Sequence, residues 1–382
     1  MTRWLLSPVF VLSLAAVAAA CPFCTAVKPS LSERIAGSRQ AALVEITNDT
    51  PEQLRCEVAK QLLTDSTAAA AKPWSTGRQF TLPKRVVMGT SKLGQLALLM
   101  ATGGDDAAKT TWEVIPLDEV SFAYLARAPA RRQPASERLP YYARFLESAN
   151  RMVAEDAYYE FGASPFDEVA QIAHLLPMAK MRQWVADPAV SESRRGFYGL
   201  ALGLAKSAAD RPANEGVLTR LVDARADDFR AGFDGILGGY LLLTGAEGIK
   251  HLDKRWLSNP QAPIGDLRHA ATALRFMHEF GADVVPAPEI AHAMRRFLAR
   301  PELAAAAIVD LARWQDWDAC AEVAALFDQK SFADAATTRA IVGYLSACPL
   351  PDAAQALTRL REQDPQRVAE AEKVGPLTPA LR

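Results

Sequence analysis

Residues 194–203 read RRGFYGLALG, and residues 230–239 read RAGFDGILGG. The two stretches lie 36 residues apart and share a basic start, a Gly-Phe pair and recurring glycines. RHAATAL (268–274) follows as a third copy, AAAAIVDLA (304–312) stands where a degenerate fourth belongs, and RAIVGY (339–344) begins a fifth. A second motif interleaves with the first. RQWVADP (182–188) recurs as KRWLSNP (254–260) and RRFLARP (295–301), and more loosely from Arg359 to Pro365. Each copy is a basic residue, an apolar or aromatic pair, and a proline six residues after the base. Proline cannot continue a helix, so it marks an end. Each unit therefore has two helices. A period in the upper thirties with two helices per unit predicts an α-solenoid over 141–370, in which each repeat buries its apolar face on its neighbours.

The glycines carry a packing prediction. Gly199 and Gly203, like Gly235 and Gly239, are four apart and share one helix face, where neighbouring helices could approach closely. Glycine inside a helix costs about 1 kcal/mol relative to alanine, and close packing could offset that. No Gly-Lys-Ser/Thr follows, which argues against a phosphate loop. The pattern resembles HEAT-like repeats. In that family the second helices line a concave face where partners lie. The resemblance gives Arg182, Lys254, Arg295 and Arg359 the role of a basic ladder for another protein or an acidic peptide. The plainer reading is that a cation late in a helix complements its dipole.

The region before the repeats has a different rhythm. PSLSERIAG (29–37) reads as a short helix with Ser30 or Ser32 as cap and Gly37 as stop. Five short, partly alternating apolar runs follow, at 40–47, 54–64, 78–89, 94–102 and 110–117, separated by turn-forming stretches. They predict a small barrel or sandwich over 21–125. The layout resembles the OB-like barrel of netrin and metalloproteinase-inhibitor modules, which also begin with Cys, a short helix and a barrel. That resemblance raises an inhibitor-like action on an exported protease. The inhibitors use a Cys-x-Cys start, whereas this chain has Cys21-Pro22-Phe23-Cys24, so zinc chelation is not carried over. ARAPARRQPASERLP (126–140) reads as a linker, and 371–382 as a tail.

Residues 1–20 read as an export leader: Arg3, an apolar run, and Ala18 and Ala20 before Cys21. The expectation is a periplasmic or extracellular protein. Cys21 is a lipidation candidate, with membrane anchoring as its consequence. The whole chain has 43 basic and 44 acidic residues and a net charge of −1, which supplies no global field for nucleic acid. Five cysteines are an odd number for an exported chain. If Cys21 carries lipid, Cys24 with Cys56 and Cys320 with Cys348 are natural disulfide pairs. Otherwise Cys21 and Cys24 pair and Cys56 is left over. Cys320 and Cys348 also suit small buried positions. CPFC resembles the glutaredoxin active-site tetrapeptide, which implies a thiol–disulfide oxidoreductase using Cys21 and Cys24. The family's preceding strand is missing here, and Leu82-Pro83 is a poor match to its cis-proline loop.

Other chemistry is sparse in the sequence. His174, His251, His269, His278 and His292 form no metal-ligand spacing. Asp156 and Glu160 share a helix face, as paired acid/base carboxylates do, but they read more simply as a solvated face above a Tyr158/Phe161 core stripe. Leu311, Trp314 and Trp317 read as a core stripe. No nucleophile elbow is visible. The resulting expectation is an α+β, mostly α protein with a small N-terminal OB-like barrel, then a HEAT-like α-solenoid. It resembles exported bacterial proteins of uncharacterised function with that layout. A non-enzymatic scaffold is the expected role, with no cofactor and no metal.

Overall fold

The computed structural model describes residues 28–64, 74–103, 109–205, 207–224 and 230–373. The expected leader, Cys21 and Cys24 lie outside them, as does the tail after Lys373.

The chain enters through α1 (Leu31–Gly37), where Ser30 and Glu33 form a reciprocal capping box. This device satisfies amides that open a helix. Five strands follow: β1 (Gln40–Asp49), β2 (Gln53–Leu62), β3 (Gln79–Pro83), β4 (Leu96–Gly103) and β5 (Thr110–Leu117). They form one antiparallel sheet in the order β3-β2-β1-β4-β5. Two register shifts between β1 and β2, at Leu43/Val44 and Ile46/Asn48, bend the ribbon. The sheet curls into a half-barrel, and a single parallel bridge from Val87 to Val114 ties its edges. The curled sheet agrees with the small OB-like barrel expected from the sequence.

β1 reads Ala41-Ala42-Leu43-Val44 without alternation because both of its faces are covered. Ala42, Val44 and Ile46 point into the half-barrel with Leu54, Cys56, Leu99 and Val114. Trp74 stacks on Trp112 there, 5.7 Å between centroids. Ala41 and Leu43, with Leu98 and Met100, face the other way and join the helical core.

Two helices then close over that outer face: α2 (Glu119–Arg127) and α3 (Ala135–Tyr142). The expected linker at 126–140 is therefore corrected. Its second half is helix, and Arg138 and Leu139 are buried in it. Ala135 packs into the core, and Arg131 and Arg138 pair with the buried Glu160. The half-barrel and helices share one continuous apolar core.

The helical part continues through α4 (Arg151–Gly162), α5 (Phe166–Gln171), α6 (Met178–Ala186), α7 (Glu192–Leu204), α8 (Arg211–Asp223), α9 (Phe233–Thr244) and α10 (Ala246–Leu252). It ends with α11 (Ile264–Phe280), α12 (Ala287–Arg295), α13 (Pro301–Arg313), α14 (Cys320–Ala325), α15 (Ala335–Ala347), α16 (Pro351–Gln363) and α17 (Pro365–Glu372). The repeat copies found in the sequence all fall on odd-numbered helices, α7 to α15. Each of these packs on the next, and even-numbered helices pack against them. Pro301 and Pro365 do more than stop a helix. Each occupies the first turn of the following one, where no amide hydrogen is needed.

α7 and α9 run parallel at glycine-limited distance. A Cβ on Gly196 would lie 2.6 Å from the Gly232 carbonyl oxygen, and one on Gly199 would lie 2.7 Å from the Ile236 Cα. Gly203 faces Gly239 in the same way. The expected role of these glycines holds, with Gly196 and Gly232 added to the set. Leu311 is buried in the core and Trp314 and Trp317 pack half-buried against it, as expected, but they do not share one helix. α13 ends at Arg313, Gln315 turns the chain at φ 58°, and Trp314 stacks on His278 with centroids 4.1 Å apart.

Candidate functional site

The densest polar chemistry lies where α1 meets α4. Asp156 and Glu160 are one turn apart and both buried. The solvated-face reading of this pair is corrected: α1 lies across that face. The Leu31 amide donates to Asp156 Oδ1 at 2.5 Å, and the Tyr124 hydroxyl donates to Asp156 Oδ2 at 2.7 Å. Ser30 and Ser32 both donate their hydroxyls to Glu160 Oε1. Arg138 pairs with Glu160 Oε2, and Arg131 reaches the same oxygen at 3.2 Å and Glu33 at 3.0 Å. A buried carboxylate is tolerated only when paired and hydrogen-bonded, and Glu160 accepts from four side chains.

Among the described residues, no cation is in hydrogen-bond contact with Asp156. Burial dominates its titration and pushes its pKa up to about 7, with the Leu31 and Tyr124 hydrogen bonds pulling partly back. Burial likewise raises Tyr124 and Tyr142, which stay protonated phenols. Sequence reasoning singled out Asp156 and Glu160, named Ser32 only as an alternative helix cap, and missed Arg131, Arg138 and Tyr142. The capping signature at Ser30 was the one available signal for α1's position.

Two openings flank α1. An open groove of about 550 Å³ is lined by Pro29, Leu31, Ile115, Met152 and Tyr159. Of its three cations, Arg34 and Arg151 are paired with Glu113 and Glu155, and Lys28 is exposed. On the other side lies a more enclosed cavity of about 150 Å³, with Ser32, Tyr142 and Asp156 among its lining.

The basic ladder divides in two. Arg182 reaches Asp210 at 2.9 Å and Asn214 at 2.6 Å in the next unit. Arg295 makes a two-pronged pair with Asp316. These two tie one unit to the next, as Arg230 does to Asp266 at 2.9 Å. Lys254 is exposed. Arg359 is 55% exposed, 3.7 Å from Asp328.

Cys56 is a free thiol inside the half-barrel, and burial pushes its pKa up to about 11. Cys320 and Cys348 are buried free thiols close to one another, and Cys320 is also raised to about 11, first by burial and then by Cys348. Among the described residues, no group of three or more metal-ligating side chains could hold an ion, and no helix is long and apolar enough to cross a membrane.

The fold defines an α+β protein in which a curled five-stranded sheet is followed by a helical repeat array. Compared with known proteins, the chain matches no family model, and no curated protein shows significant sequence similarity to it.

Proposed function

We propose that this protein is an exported, non-enzymatic interaction protein that binds another protein or an acidic peptide along its helical array. One observation supports this reading above the others: the array is a run of stacked helix pairs whose even-numbered helices lie against the odd-numbered layer. Stacked repeats of this type present extended surfaces suited to binding. The charges inside the array point the same way, because Arg182, Arg230 and Arg295 are committed to carboxylates of the same chain. Lys254 and Arg359 are the exposed members of the ladder, Arg359 holding only a 3.7 Å pair with Asp328, and they serve as the contact points for an acidic partner. Export follows from the leader, and Cys21 is its candidate lipid attachment point.

A fluorescent glutamate-rich peptide, titrated by anisotropy at low salt, tests the surface. The Lys254→Glu/Arg359→Glu protein should bind it at least about tenfold more weakly, since each exposed charge contact is modest but reversal adds repulsion. Its urea midpoint should be unchanged. Equal binding by both proteins, or no binding by the parent, rejects the reading. The intact mass of the protein recovered from a bacterial host tests export and the lipid together.

A further inference from the structure

Cys320 and Cys348 differ from Cys56. Cys56 is sealed inside the half-barrel at 0% exposure. Cys320 opens α14 and Cys348 caps the end of α15, and they keep 6% and 8% exposure. Each lies within two residues of an exposed position, Asp318 and Pro349 respectively. A fixed contact sets their segments side by side. The Tyr344 hydroxyl donates to the Asp316 carbonyl oxygen at 2.5 Å, and the Tyr344 ring meets Trp317 with centroids 5.2 Å apart. Each cysteine lies four residues beyond one end of that hydrogen bond. Asp316 is itself gripped by Arg295. In this setting the two thiols come within hydrogen-bonding reach of each other, and both lie beside the Tyr344 hydroxyl. Among the described residues they are the one pair of thiols that meets. The sequence left them as either a disulfide pair or small buried residues, and the fold makes them both buried and adjacent.

We infer that Cys320 and Cys348 are a dithiol–disulfide couple, oxidised by a low-molecular-weight disulfide such as oxidised glutathione to a bond that staples the start of α14 to the end of α15. One cysteine gives up its proton and attacks a sulfur of the oxidant. The sulfur–sulfur bond of the oxidant breaks, one glutathione leaves as a thiolate that takes up a proton, and a mixed disulfide remains. The second cysteine, deprotonated in turn, attacks the protein sulfur of that mixed disulfide and releases the second glutathione. The two protein sulfurs lose one electron each, and the two glutathione sulfurs gain them. Burial, and then Cys348, raise the Cys320 pKa to about 11, so little thiolate is present and exchange in the native protein is slow. Equilibrium rather than reactivity therefore decides the outcome, and the bond is structural rather than catalytic. It closes a loop of roughly 28 residues, whose freedom in the unfolded chain it removes.

The test equilibrates the full chain with glutathione buffers of stepped oxidised-to-reduced ratio, quenches with acid and alkylates the thiols that remain. Trypsin cuts after Arg313, Lys330, Arg339 and Arg359, so the bond is read by mass spectrometry as a link between peptides 314–330 and 340–359. The same titration in denaturing urea gives the reference. The native fold should favour the bond over the unfolded chain by about a hundredfold in equilibrium constant, the usual contribution of a disulfide expressed as a ratio. If both thiols stay free across the whole native titration, or each is capped by its own glutathione, the proposal is overturned. A native equilibrium constant no larger than the urea value overturns it as well.

Discussion

Replacing Gly199 by alanine should destabilise the protein, although alanine is the better helix former. In an open helix the exchange is worth about 1 kcal/mol in alanine's favour. At this site the new methyl would lie 2.7 Å from the Ile236 Cα and 2.8 Å from its Cγ1. Carbon atoms in contact prefer roughly 3.5–4.0 Å. α7 and α9 must therefore part by about 1 Å, which forfeits a quarter to a half of the dispersion energy of each contact along the seam. Overpacking of this kind costs about 1–3 kcal/mol, occasionally more. The movement also opens the neighbouring contacts of Gly196 and Gly203. The net expectation is a loss of about 2 kcal/mol. Gly216, inside α8, is the internal control. A Cβ there meets only the Arg220 guanidinium, at 3.8 Å. Gly216→Ala should stabilise by about 0.5–1 kcal/mol. Urea denaturation followed by far-ultraviolet circular dichroism reads both. If Gly199→Ala stabilises the protein as Gly216→Ala does, the close approach of α7 and α9 is refuted.

Stability should fall as pH rises through neutrality on account of Asp156. Its folded pKa of about 7 lies above the unfolded value, so the folded state holds a proton that the unfolded chain releases. That stabilisation is complete below about pH 4 and is lost as pH rises through about 7, to an extent of about 4 kcal/mol. Asp156→Asn keeps an acceptor for Leu31 and should flatten the trend between those limits; an unchanged slope would assign it to other groups. Glu160→Ala strands Arg138, whose side chain is 4% exposed, and should cost about 3–5 kcal/mol. A loss under about 1 kcal/mol in urea melts would mean that the four donors have other partners. Cys56 should resist iodoacetamide in the native protein at about pH 8 and react fully in urea, because its thiol is buried and raised to about 11. Failure to react in urea without reductant would reveal a disulfide instead.

Much of the fold was legible before any coordinates. The first helix with its cap at Ser30 or Ser32, the five strands and the repeat period all rest on local pattern, and local pattern survives folding. Two misreadings came from charge whose burial depends on a distant partner. Arg138 looked like part of a solvated linker because Glu160, 22 residues away, supplies its counter-charge. Asp156 and Glu160 looked solvated because α1 returns over them from more than 120 residues earlier. Sequence alone shows the i,i+4 carboxylate pair but not the helix that covers it. The orphan hydroxyl of Tyr142 has no sequence signature at all, since it is defined by what surrounds it. Trp314 packs on the core as read, but off the helix for a local reason: α13 ends one residue before it, and a left-handed Gln315 that no glycine announces turns the chain.

α1, clamped on α4, ties the half-barrel side of the chain to the helical array. Hydrogen exchange read by mass spectrometry on a peptide spanning Ser30 to Ser38 tests it directly. The clamp predicts that these amides are protected as strongly as those of α4, and that Glu160→Ala releases them together. Rapid exchange of α1 in the parent protein, with α4 still protected, would contradict it.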